Sequence, residues 1–103
     1  MFEKRSLENL TIDSFQPHTG QEFSVENLSQ PVGLRLISAS AGKGSLTLEK
    51  ERASFSLTFK SNQQQVLPQS CYRLANKQFG EVAIFLVPVT RDADGITYQA
   101  VFN

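Results

Sequence analysis

The strongest constraint on what this chain can fold into is an alternation of period two, repeated in short bursts from residue 22 to the C-terminus. "EFSVENL" sets Phe23 and Val25 on one side, and "VGLRLISAS" sets Val32, Leu34 and Leu36 against Arg35. "SLTLEKE" gives Leu46 and Leu48. "SFSLTFK" alternates Phe55, Leu57 and Phe59 with Ser54, Ser56, Thr58 and Lys60. "CYRLAN" opposes Tyr72 and Leu74 to Arg73, and "ITYQAVF" opposes Ile96, Tyr98, Ala100 and Phe102 to Thr97 and Gln99. In extended backbone successive side chains point to opposite faces, so each burst reads as a strand with one face buried and one wet. "EVAIFLVPV" departs from this. Val82, Ile84 and Leu86 lie on one face and Ala83, Phe85 and Val87 on the other, so its second face meets a cover, a partner chain or a short helix.

The breaks between bursts are short: "NLSQP", "SAGKGS", "SNQQQVLPQ", "ANKQFG" and "RDADG". Short strands with turn signals between them predict an all-β fold. The expected form is a compact, mostly antiparallel meander of six or seven strands closed into a small barrel, with a two-layer sandwich as the alternative. Ahead of the strands, Thr11 and Asp13 suit a helix start, Ile12 and Phe15 share a face, and Pro17 and Gly20 end the run. These residues predict a short N-terminal helical turn that plugs Phe15 into the core. The sequence shows no internal repeat and no linker, so residues 1–103 are read as a single β domain.

Composition narrows the function classes. Ten basic residues balance ten acidic ones, which removes the electrostatic reason to expect nucleic acid or an anionic membrane as partner. The same neutrality does little to oppose self-association. Cys71 is the one cysteine, so an intrachain disulfide and a multi-cysteine zinc cage are both excluded. No apolar run approaches the ~20 residues of a membrane helix, and "MFEKRSLENL" lacks a signal core. The expectation is a cytoplasmic protein. Incorporation into a larger particle would leave no mark of this kind.

Each candidate for chemistry has a plainer reading beside it. "TRDADGITYQ" resembles a calcium loop, with Asp92 and Asp94 as oxygen ligands and Gly95 as the turn glycine. The bidentate glutamate that such a loop needs at its last position falls on Val101. Asp-Gly between two strands is a hairpin signal, because both residue types tolerate positive φ. "SAGKGS" lacks the first glycine and the Ser or Thr of a phosphate loop, and the residues after it alternate like a strand. His18 is the sole histidine, so any hydrolytic site must use it with a serine or with Cys71. No nucleophile motif accompanies it, and a surface or capping role is the plainer reading. Cys71 reads as a small core or edge residue. Most carboxylates sit in polar stretches such as "EKE" and read as solvated faces. Phe55, Phe59, Phe79, Phe85, Tyr98 and Phe102 read as core before they read as a stacking platform. No catalytic, cofactor or metal residue is assigned.

Three blocks, "LPQSCYRLAN", "FGEVAIFLVPV" and "GITYQAVFN", resemble those of a family of small bacterial proteins described only as a domain of unknown function. "LTIDSFQPHTGQEFSV" and "RASFSLTFK" resemble its earlier blocks. Ser70 stands where the family has glycine, Cys71 where it has a small polar residue, and Gln99 where it has glutamate, which argues against a universal catalytic role at any of the three. The resemblance implies an accessory or structural β-domain that accompanies phage-tail-like or collar-type proteins. The chain thus admits three functional readings. The first is a non-enzymatic structural or interaction domain, self-associating or docked on a larger assembly. The second is a barrel holding a small molecule. The third is a hydrolase using His18.

Overall fold

The computed structural model describes residues 10–26, 28, 32–41 and 55–102. A short helix α1 (Ile12–Phe15) and a 3-10 turn (Gln16–His18) precede six strands. These are β1 (Glu22–Val25), β2 (Val32–Ala41), β3 (Phe55–Ser61), β4 (Ser70–Asn76), β5 (Gly80–Asp92) and β6 (Gly95–Phe102). They close into an antiparallel barrel in the order β1-β2-β3-β6-β5-β4, with β4 pairing back onto β1. The proposed strand through Leu46 and Leu48, the "SAGKGS" loop beyond Ala41 and the "EKE" stretch lie outside the described residues.

The alternation predicts the inward face of the strands other than β5 correctly, and on β5 the structure turns the Val82, Ile84 and Leu86 face inward. Phe23, Val25, Val32, Leu34, Leu36, Phe55, Leu57, Phe59, Tyr72, Leu74, Val82, Ile84, Leu86, Ile96, Tyr98, Ala100 and Phe102 are all buried in one cluster. A barrel this narrow is filled by its own side chains. One end is stoppered by α1. Thr11 holds the N-cap position, and its N–H donates to Ser14 Oγ at 3.1 Å. The helix points Phe15 inward, where its ring stacks on Phe79 at 4.8 Å and touches Phe55 and Phe102. Phe55 and Phe102 stack at 4.5 Å in turn. The β3–β4 connection is fixed by two tyrosine hydroxyls. Tyr98 Oη accepts from Leu67 N–H at 2.9 Å, and Tyr72 Oη donates to the Pro68 carbonyl at 2.5 Å. Burial, and then the neighbouring Tyr98, raise the Tyr72 pKa above its ordinary value.

The barrel is two meanders rather than the single one expected. β1-β2-β3 and β4-β5-β6 join through the β3–β6 and β1–β4 pairs. The two halves correspond about the facing pair Phe59–Tyr98. Phe59 faces Leu36, and the next residue on β2, Ile37, bulges out of register. Tyr98 faces Pro88, and the next residue on β5, Val89, bulges in the same way. A bulge inserts one residue and turns it outward. Both aliphatic side chains are accordingly exposed.

Candidate functional site

With the interior filled by side chains, the distinctive features of this barrel lie on its outer surface. Three regions stand out. The first is a cleft of about 740 Å³ beside the short strand β1, lined by Gln21, Glu22, Phe23, Ala75, Asn76 and Gln78 among others. An amide network organises it. Gln21 Oε1 lies 3.0 Å from His18 Nδ1 and accepts from Asn76 Nδ2 at 3.3 Å, while Gln21 Nε2 donates to Gln78 Oε1 at 2.9 Å. Asn76 Oδ1 accepts the N–H groups of Gln78 and Phe79, both at 2.8 Å, which shapes the turn into β5.

His18 is therefore a member of this network, with its ring edge-on to Phe79 at 5.3 Å. It does not meet Cys71. That thiol is exposed on β4, five residues along the strand from Asn76, or roughly 16 Å at strand rise. Cys71 is thus neither a core residue nor an edge one. Tyr72 and Leu74 take the inward positions, so strand alternation turns Cys71 out, opposite Phe85.

The second region is the outer wall that Cys71 shares with β5 and β6. Phe85 is 50% exposed, Val89 51% and Val101 60%. Val87 faces Gln99 across the strands, and continuing that register by two residues sets Phe85 level with Val101. Arg73 and Glu81 form an ion pair at 3.4 Å beside it. Of the alternatives offered for the second face of β5, the short helix is ruled out, because α1 is spent stoppering the barrel and does not pack on this wall. The remaining predicted aromatics, Phe55, Phe59, Phe79, Tyr98 and Phe102, are core.

The third region is a hollow of about 300 Å³ on the β2–β3 face, bordered by Glu22, Gly33, Arg35, Ile37, Lys60 and Asp94, with Ser61 and Asn62. Arg35 faces Lys60 directly across the strands. Like charges so placed repel. Lys60 is relieved by Asp92, whose Oδ2 lies 3.4 Å away, whereas Arg35 makes no ion pair among the described residues. Sequence reasoning missed this hollow. Its signals were a glycine inside a strand and two cations brought level by register, and the register becomes visible only once the strands are paired.

The "RDADG" stretch is a hairpin turn, with Asp92 paired to Gly95. Asp92 Oδ1 accepts from Asp94 N–H at 2.9 Å, and this bond, then Lys60, holds the Asp92 carboxyl below its ordinary value. The backbone differs from the one expected. No described residue other than glycine has positive φ, so Asp94 does not use the left-handed region, and Gly95 alone takes φ +138°. Among the described residues no three His, Cys, Asp or Glu side chains gather as a metal site, and no helix is long and apolar enough to cross a membrane.

Fold and surface define a class: a small closed antiparallel barrel, stoppered by its own helix, with its distinctive features on the outside. The chain belongs to the family described as a domain of unknown function (DUF6916), whose sequence pattern matches residues 10–102. No curated protein and no solved structure matches it.

Proposed function

We propose that the protein is a non-enzymatic structural or protein-interaction domain, acting as an accessory subunit of a phage-tail-like or other larger assembly. One observation carries the reading: Phe85, Val89 and Val101 stand about half exposed on one wall of a barrel whose interior is already filled. Single exposed apolar residues are ordinary on a protein surface, but a contiguous group including an aromatic marks a contact surface. The resemblance to proteins that accompany tail-like and collar-type assemblies fits a domain of this kind. The engagement of His18 by Gln21 and Phe79, away from Cys71, supports a non-enzymatic reading.

Cys71 provides the test, because it stands beside Phe85. A photoactivatable cross-linker attached to that thiol reports what lies on the wall, both in purified protein and in native lysate. The expected result is a defined protein cross-link that Phe85→Thr abolishes. The absence of any cross-link under both conditions overturns the reading.

The amide-lined cleft supports a second reading, a small polar ligand held outside the barrel. A ligand-dependent rise in melting temperature that Gln78→Ala removes would establish it, and a flat screen of sugars and amino acids would end it.

A further inference from the structure

The hollow at Gly33 and the knob at Phe85 occupy equivalent places in the two halves of the barrel. Gly33 lies three residues before Leu36, which faces Phe59 ahead of the β2 bulge. Phe85 lies three residues before Pro88, which faces Tyr98 ahead of the β5 bulge. At the same outward position, one half carries a glycine with the Glu22 carboxyl lying over it and the other a half-exposed ring. The ring order β1-β2-β3-β6-β5-β4 sets β2 and β5 three places apart in either direction, so hollow and knob point to opposite sides of the molecule. A copy cannot fill its own hollow.

Resting on the interaction reading above, we propose that the partner is a second copy of this chain. Copies associate head to tail, with the Phe85 ring of one seated in the Gly33 hollow of the next. The chemistry of the hollow suits an aromatic ring. Gly33 adds no side chain of its own, so the floor opens once the exposed Glu22 side chain turns aside, and Ile37 adds an apolar wall. Arg35 and Lys60 bring cations to the ring face, where the π-cloud is negative. Glu22, whose carboxyl now lies against Gly33, is placed to meet the positive ring edge. Arg35, which faces Glu22 on one side and Lys60 on the other and makes no ion pair among the described residues, gains a contact with the ring. The formal net charge of zero means that identical copies meet without net repulsion. Such a contact is heterologous. Each added copy leaves one knob and one hollow free, so the chain of copies closes into a ring or continues as a filament according to its rotation.

Two variants and their mixture test this by sedimentation velocity, with circular-dichroism melting to confirm that each is folded. Gly33→Gln fills the hollow. Its new Cβ meets only the far end of the exposed Glu22 side chain, at 3.1 Å, and the backbone there needs no positive φ. Phe85→Thr removes the knob. Wild type is expected to self-associate with rising concentration. Each variant alone is expected to weaken association by roughly tenfold to a hundredfold, the order for losing a buried phenyl ring. Mixed, the two variants form a one-to-one dimer and stop there, because one intact knob meets one intact hollow. A wild type that stays monomeric overturns the proposal. So does association that Phe85→Thr abolishes and Gly33→Gln leaves intact, although the wall then still serves a different contact and the interaction reading survives. Failure of the Cys71 cross-linking as well would remove both.

Discussion

Gly95 shows how little freedom the hairpin at Asp92–Gly95 has. A Cβ at this position would lie 1.8 Å from the Ser61 carbonyl oxygen, and the residue also holds φ +138°. Gly95→Ala forces the β3 end and the turn apart, so it is expected to cost roughly 2 kcal/mol or more in urea unfolding. Calcium added to wild type is expected to leave the melting temperature unchanged, since the turn is shaped by Asp92 accepting from Asp94 N–H rather than by a cation. Asp92 has a pH signature. Its folded pKa is depressed by that bond and by Lys60. The stability it contributes is therefore present above the unfolded value of ~3.9 and lost as pH falls through the lower folded value. Asp92→Asn keeps an acceptor for Asp94 N–H but loses the charge. Thermal melts should place this variant below wild type at neutral pH, with the gap closing below pH ~4. A gap that persists in acid would mean the charge is not its source.

At the scale of elements, two phenylalanines on the same fold have opposite tasks. Phe15 on α1 is fully buried and stacks on Phe79. Phe15→Ala removes the stopper and leaves a cavity, so about 3–5 kcal/mol should be lost in chemical denaturation. Phe85 is half exposed on β5, and Phe85→Thr should shift stability by no more than about 0.5 kcal/mol. Equal losses would mean that the wall packs against the protein's own chain. This contrast was partly legible in the sequence. The period-two bursts placed most of the inward apolar residues of the strands, because burial on one face of a pleated strand leaves a mark that needs no knowledge of its neighbours; buried Ser61 and Ala75 carry no such mark. The two apolar faces of "EVAIFLVPV" predicted a cover, a partner chain or the short helix over the second face, whereas within this chain that face leaves Phe85 half exposed. The bulges were not legible. Ile37 follows Leu36 as an ordinary outward residue would, and only the pairing of Ser38 with Thr58 shows that β2 has slipped by one. The charged hollow was hidden for the same reason, since Arg35 and Lys60 are far apart in sequence and meet only through register.

For the whole molecule, the correspondence about Phe59–Tyr98 raises the question of whether the two meanders are also energetic units. Their sequences do not echo each other. Leu36 corresponds to Pro88, Arg35 to Val87 and Gly33 to Phe85. Inward positions need only apolar volume, and outward ones need not match at all. The two seams that join them are unequal. Seven facing pairs, from Phe55–Phe102 to Ser61–Ile96, hold β3 to β6. Among the described residues, β1 and β4 are joined by two, Ser24–Ala75 and Val25–Leu74, with Glu26 N–H donating to the Arg73 carbonyl at 2.8 Å. Local opening follows the weaker seam. In native-state hydrogen exchange, amides bonded across β1–β4 are expected to exchange at least about tenfold faster than those bonded across β3–β6, by openings insensitive to low denaturant. The short seam borders the cleft that Ser24, Gly33 and Asn76 help to line, so a ligand bound there would slow exchange at β1–β4 first. Equal protection at both seams would mean that the barrel opens only as a whole, and the division into two meanders would then be one of register without independent stability.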